Sequence, residues 1–146
     1  MSTRIHALVA LAFVAASPVA AALAQASAQG SSLKDQLVGQ WQLVSIGINN
    51  TAPYGDSPTG SMLLDAAGHY SIIVISNGGS RNISYYGSYT VDETNKSVTM
   101  HIVGSTRSTA AGRDQTRQVS IDGDQLVEQT PPGRRGSIKM TWKRAN

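Results

Sequence analysis

From Gly39 onward, apolar residues recur at every second position in short runs, each closed by a cluster of Gly, Asn, Asp, Pro or Ser. A period of two is the signature of half-buried strands, because successive side chains point to opposite faces. The first run, Gly39–Ile46, places Trp41, Leu43 and Ser45 on one face and Gln42, Val44 and Ile46 on the other. Its large ring thus points inward at the very start of the strand, where it would plug the closed end of a small barrel. A short amphipathic segment, Ser32–Leu37, precedes it and reads as a Ser-capped helical turn.

Turn chemistry fixes most registers. Ala66-Ala67-Gly68 joins Met62–Asp65 to His69–Ile75, with Gly where a three-residue hairpin loop needs positive φ. Pairing Asp65 with His69 sets Leu64 opposite Tyr70 and Met62 opposite Ile72, leaving Ile73 and Ile75 on a second face that should be partly covered. Tyr85–Val91 and Val98–Val103 follow, with Val91 facing Val98, Tyr89 facing Met100, and His101 outward beside Ser88. Asp122-Gly123 reads as a two-residue hairpin loop that would set Val119 opposite Leu126 and Arg117 opposite Glu128. The last run, Ser137–Arg144, points Ile138, Met140 and Trp142 inward. Residues 49–60, rich in Pro, Gly and Asn, form a long loop over the open mouth, with Tyr54 at its tip. About eight strands with short joins leave two open edges unless the sheet closes. The expected fold is therefore all-β, a single up-and-down antiparallel barrel over residues 33–146. Closure would bring the first strand beside the last and lay Arg144 over Trp41.

The N-terminal segment changes the picture of location. Ser2-Thr3-Arg4, the apolar run Ala7–Ala16 and the Ala-x-Ala sites ending at Ala24 or Ala28 read as a secretion signal and short leader over residues 1–28. The run is too short for a spanning helix, so a secreted or periplasmic protein without a membrane span is expected. The chain has no Cys, which removes disulfides, lipid-bearing thiols and thiol metal sites. Without Arg4 the chain carries eleven Lys and Arg against nine acids, scattered rather than striped, which does not suggest a nucleic-acid partner.

Candidate chemistry is sparse. No nucleophile motif, metal-ligand spacing or phosphate loop stands out, and no cofactor is indicated. Pro131–Gly136 reads as a solvated hairpin tip. The exception is the strand Asp114–Ile121, whose inward face carries Gln115 and Arg117 beside Val119, with Glu128 on the neighbouring strand. Inward polar groups must be satisfied. Either Arg117 and Glu128 form a structural ion pair, or Arg117 meets an anionic ligand group with Gln115 assisting. In the second case Tyr54, Tyr85, Tyr89 and Met100 would wall the cavity.

Several stretches together are similar to the bacterial and fungal lipocalin-like domain family: Leu37–Ser45 with its Gly-x-Trp, Gly55–Gly60, Gly68-His69, Tyr85–Tyr89, and Gln115-x-Arg117 before Asp122–Leu126. The resemblance runs from about Leu37 to Arg144 and implies a calycin-type barrel that binds small apolar molecules. Three departures stand out: small and polar residues between Ser105 and Gly112 where the family has Pro and Trp, Leu64 in place of a Tyr, and the charge of Glu128. Three function classes follow: a binding barrel for a small hydrophobic or amphipathic molecule, a structural or interaction module with a filled core, and an isomerase- or cyclase-type enzyme. Binding ranks first, and the sequence leaves oligomeric state open.

Overall fold

The computed structural model describes residues 30–134 and 136–145; the secretion signal expected over residues 1–28 lies outside them. The chain enters through helix α1 (Leu33–Leu37), whose first turn is closed by Ser32 Oγ accepting from Asp35 N at 3.1 Å. The next orphan donors, Leu33 N and Lys34 N, are taken by the Glu93 carboxylate at 2.9 and 3.1 Å. That bond ties the helix to a turn far along the chain.

Eight strands follow: β1 (Gly39–Ile48), β2 (Thr59–Leu64), β3 (His69–Ile75), β4 (Asn82–Asp92), β5 (Ser97–Ser105), β6 (Asp114–Asp122), β7 (Gln125–Gln129) and β8 (Ile138–Arg144). Each pairs antiparallel with its neighbour and β8 pairs back to β1, closing an up-and-down barrel. Because connections alternate between the ends, the turns 65–68, 93–96 and 123–124 share one end with α1. The longer loops 49–58, 76–81, 106–113 and 130–137 gather at the other. No helix among the described residues is long and apolar enough to cross a membrane.

Registers expected from turn chemistry are present at two hairpins. Leu64 faces Tyr70 and Met62 faces Ile72, with Gly68 at φ +94° closing the turn. Val91 faces Val98, Tyr89 faces Met100 and Ser88 faces His101. Two other details differ. A bulge between Leu43 and Ser45 inserts one residue into β1, so the strand changes phase: Ile46 is buried and Ser45 is exposed. In the β6–β7 hairpin the loop is Gly123-Asp124 rather than Asp122-Gly123. Gly123, at φ +59°, takes the first central position, where a type II′ turn favours Gly. The pairing shifts by two residues, which preserves every face: Val119 sits opposite Glu128 and Ile121 opposite Leu126.

The inward residues make one core in which Trp41, Met62, Leu64, Ile72, Val98, Met100, Ile102, Leu126 and Trp142 are almost wholly buried. The outer face of β3 is not covered as expected. Ile73 and Ile75 stand 49% and 39% exposed, since the wall is one sheet thick and no other element among the described residues packs on it.

At the closed end the Trp41 ring lies beneath Arg144, whose guanidinium carbon is 4.1 Å from the ring centroid. Trp41 Nε1 donates to Leu37 O at 2.9 Å, and Arg144 donates to Val38 O at 3.0 Å and Gln36 O at 2.5 Å. These bonds satisfy the helix's orphan carbonyls with the groups that plug the barrel.

Candidate functional site

The interior is layered. Above the Trp41 plug lies a filled apolar layer, then a polar layer, then a cavity of about 120 Å³ under the mouth loops. The polar layer is built on Arg117 and Glu128, whose side chains are only 3% and 1% exposed. Glu128 stands opposite Val119, so Arg117, two residues away on the same face, reaches it diagonally with Nη1 at 2.8 Å from Oε2. The long guanidinium stem makes the contact that direct opposition was expected to make.

Arg117 Nη2 donates to the Tyr85 hydroxyl and, at 3.1 Å, to Gln115 Oε1. From below, Trp142 Nε1 donates to Glu128 Oε2 at 3.0 Å. Burial works against the charge of Arg117, but Tyr85 and Glu128 outweigh it and hold the guanidinium protonated. The Tyr85 phenol is raised, by burial first, against the opposing pull of Arg117, so it stays neutral. Among the described residues Arg117 Nε has no hydrogen-bond partner, and neither has the hydroxyl of Tyr70, whose ring meets Tyr85 edge-on with centroids 6.0 Å apart. Burial, then Tyr85, pushes the Tyr70 phenol up as well.

The cavity is amphipathic. Ile46, Ile48, Val74, Ile83, Ile138 and Met140 supply its apolar side, and Gln115, Arg117 and Tyr85 its polar floor. Tyr54 is the roof. Its ring is buried, its carbonyl accepts from Asn77 N at 2.9 Å, Arg81 lies over its face at 5.8 Å, and Arg107 Nη2 reaches its hydroxyl at 3.4 Å. Three mouth loops thus meet on one ring.

Of the residues singled out in the sequence, Tyr54, Tyr85, Gln115 and Arg117 line this cavity, and Glu128 braces Arg117 from beneath. The cavity does not reach Tyr89 or Met100. β4 runs from mouth to closed end, so Tyr89 lies deeper than Tyr85. Its hydroxyl donates to Asp65 O at 2.7 Å, while Met100, opposite it, is in the filled layer. Sequence reasoning missed Arg81 and Arg107. A signal existed, since alternating connections put residues 76–81 and 106–113 at the end of the barrel that holds the 49–58 loop. It also missed the Trp142–Glu128 bond, which joins two inward positions on neighbouring strands. The two strand histidines sit outside, His69 beside Asp65 at 3.0 Å and His101 beside Asp114 at 2.7 Å.

No family model matches the chain, and no curated protein matches it. Solved structures do. A de novo designed fluorescence-activating β-barrel superposes with a TM-score of 0.51 at 13% identity, over 79% of this chain and 99% of that one. A variant of the fluorescent protein UnaG gives 0.43 at 11% identity, over 77% of this chain and 98% of that one. The first agrees with the fold, a small closed antiparallel β-barrel.

Proposed function

We propose that this protein binds a small amphipathic molecule in the cavity beneath Tyr54. The observation that carries the reading is the division of the interior. The closed half is packed solid, while the mouth half keeps a partly open space with one apolar wall and a polar floor whose geometry is fixed by a four-residue network. A barrel needing only a filled core gains nothing from burying Arg117 and Glu128, because a desolvated ion pair adds little net stability over apolar side chains. Such a floor makes sense as a preorganised surface for orienting a ligand. Titrating the protein with a panel of short-chain amphiphiles, while following methyl resonances, tests this. Binders should move the methyls of Ile46, Val74, Ile83 and Ile138. Shifts confined to the outward methyls of Leu63, Ile73 and Val103, or none at all, would defeat the reading.

The same proposal places the protein outside the cytoplasm, supported by the positive start at Arg4, the apolar run Ala7–Ala16 and the Ala-x-Ala sites. Intact mass of protein recovered from a periplasmic extract should show the loss of residues 1–24 or 1–28. Protein found there with Arg4 still attached refutes secretion by a cleaved signal.

A further inference from the structure

The basic residues look scattered along the sequence, but the fold sorts them. Among the described residues, the mouth loops hold Arg81, Arg107, Arg113 and Arg134 against the single acid Asp56. Asp114, at the edge of one of these loops, is already bonded to His101. The closed-end turns and α1 hold Asp35, Asp65, Glu93 and Asp124 against Lys34 and Lys96. The mouth is therefore the positive pole, and a field of that sign over a concave opening draws anions toward it.

Two of these arginines belong to the cavity itself. Arg81 and Arg107 line it and bracket Tyr54, one over the ring and one at the hydroxyl. No acid lies within salt-bridge distance of either among the described residues. Two guanidinium groups held about one phenol without a counter-charge repel each other, and a bound anion removes that repulsion while gaining charge-assisted hydrogen bonds.

The floor does not offer the same reception. Glu128 neutralises Arg117, and three of the five guanidinium N–H groups are taken by Glu128, Tyr85 and Gln115. A carboxylate at that depth would be desolvated and would face the Glu128 carboxylate. The N–H groups left over there, on Arg117 Nε and Nη1, suit a neutral acceptor. Size limits the rest of the molecule, since about 120 Å³ falls short of the ~150 Å³ that admits a benzene ring in an engineered cavity. Only a compact tail fits without lifting Tyr54.

We infer that the ligand is a small organic monoanion. Its carboxylate sits at the rim between Arg81 and Arg107, and its tail, a short aliphatic chain, lies between Ile46, Val74, Ile83 and Met140. This identification rests on the cavity-binding reading above.

Calorimetric titration at low salt with butyrate and with 1-butanol, together with interior methyl shifts for each, separates the two claims. Butyrate should bind about tenfold tighter than the alcohol, and the preference should shrink as salt is raised. The Arg81→Gln/Arg107→Gln double variant changes two exposed side chains that also touch Tyr54, so the alcohol titration controls for a displaced roof. The variant should lower butyrate affinity about tenfold and the alcohol's far less, so that the preference is lost. If both probes move the interior methyls with equal affinity, or the double variant keeps the preference for butyrate, the anion subsite is overturned while the cavity reading stands. If neither probe moves those methyls, both fall together.

Discussion

The two ends of this barrel solve the problem of buried polarity in opposite ways. At the closed end each buried donor named above meets a fixed acceptor: Trp41 Nε1 meets Leu37 O, the Arg144 fork meets Val38 O and Gln36 O, and the Tyr89 hydroxyl meets Asp65 O. Toward the mouth the Arg117–Glu128 pair is desolvated, and among the described residues Arg117 Nε has no hydrogen-bond partner and Arg81 and Arg107 have no acid beside them. Unmade hydrogen bonds inside a protein cost about 1–3 kcal/mol each. A molecule that concentrates them on one side of its interior is spending stability where a ligand can return it, and concentrating its stability elsewhere.

The sharpest way to break that contrast is at the plug. Trp41→Ala removes a wholly buried ring, the bond to Leu37 O and the face on which Arg144 rests, and should cost about 3–5 kcal/mol in a urea melt. A loss below about 1 kcal/mol would mean that the ring does not close the barrel.

Next in size is the polar layer. Glu128→Leu strands a buried guanidinium and should cost about 3–5 kcal/mol, the lower half of that range being expected because Tyr85 and Gln115 still accept from Arg117. Adding Arg117→Met removes the stranded charge, so the double variant should recover most of the loss. Simple additivity in the double-mutant cycle would show that the diagonal contact is absent. At the closed end no such rescue is available, which distinguishes a packing role from a charge-compensation role.

How far these features could be read from the chain depends on whether their cause is local. Strand number, the Gly68 turn, the β4–β5 register and the Arg144 cover on Trp41 follow from alternation and turn residues, which are written in consecutive positions. The β1 bulge is not written there: Leu43-Val44-Ser45-Ile46 alternates acceptably in either phase, and the choice is made by pairing with β8. The β6–β7 slip shows the limit of turn rules, because Asp122-Gly123 and Gly123-Asp124 are both good two-residue loops. Parity survives a shift of two, so Arg117 and Glu128 could be placed on one inward face but not at the right offset. The cavity was less legible. Which inward residues line space and which are packed depends on depth along each strand, so Tyr85 reaches the cavity and Tyr89 does not.

A smaller effect probes the boundary between the two halves. The Tyr70 hydroxyl is buried without a partner among the described residues, so Tyr70→Phe should be neutral or stabilise by up to about 1 kcal/mol. The phenols of Tyr70, Tyr85 and Tyr89 are all raised, by burial first, so their neutral forms are favoured in the folded state. That contribution is complete below the ordinary tyrosine value of about 10 and is lost as pH rises beyond it. Tyr70→Phe should therefore also soften the alkaline loss of stability. A variant less stable than the parent at neutral pH would show that the hydroxyl has a partner.

The smallest effect belongs to the closed-end turns and has the opposite pH sign. Asp65 accepts from His69 N at 2.7 Å and lies 3.0 Å from the His69 ring, and Asp92 accepts from the Asn95 and Thr94 backbone. The backbone bond from His69 first, then its side chain, lowers the Asp65 carboxyl; the bonds from Asn95 do the same for Asp92. For a lowered carboxyl the folded state holds fewer protons than the unfolded state near pH 4. The stabilisation is therefore present above that pH and lost as pH falls through the folded value. Both carboxylates are exposed, so solvent screening keeps the effect small. Asp65→Asn and Asp92→Asn should each shift the neutral-pH urea midpoint slightly downward and flatten its fall between about pH 4 and pH 2. An acid limb as steep as the parent's in both variants would move the acid-sensitive groups away from these turns and leave the closed end without the pH dependence assigned to it.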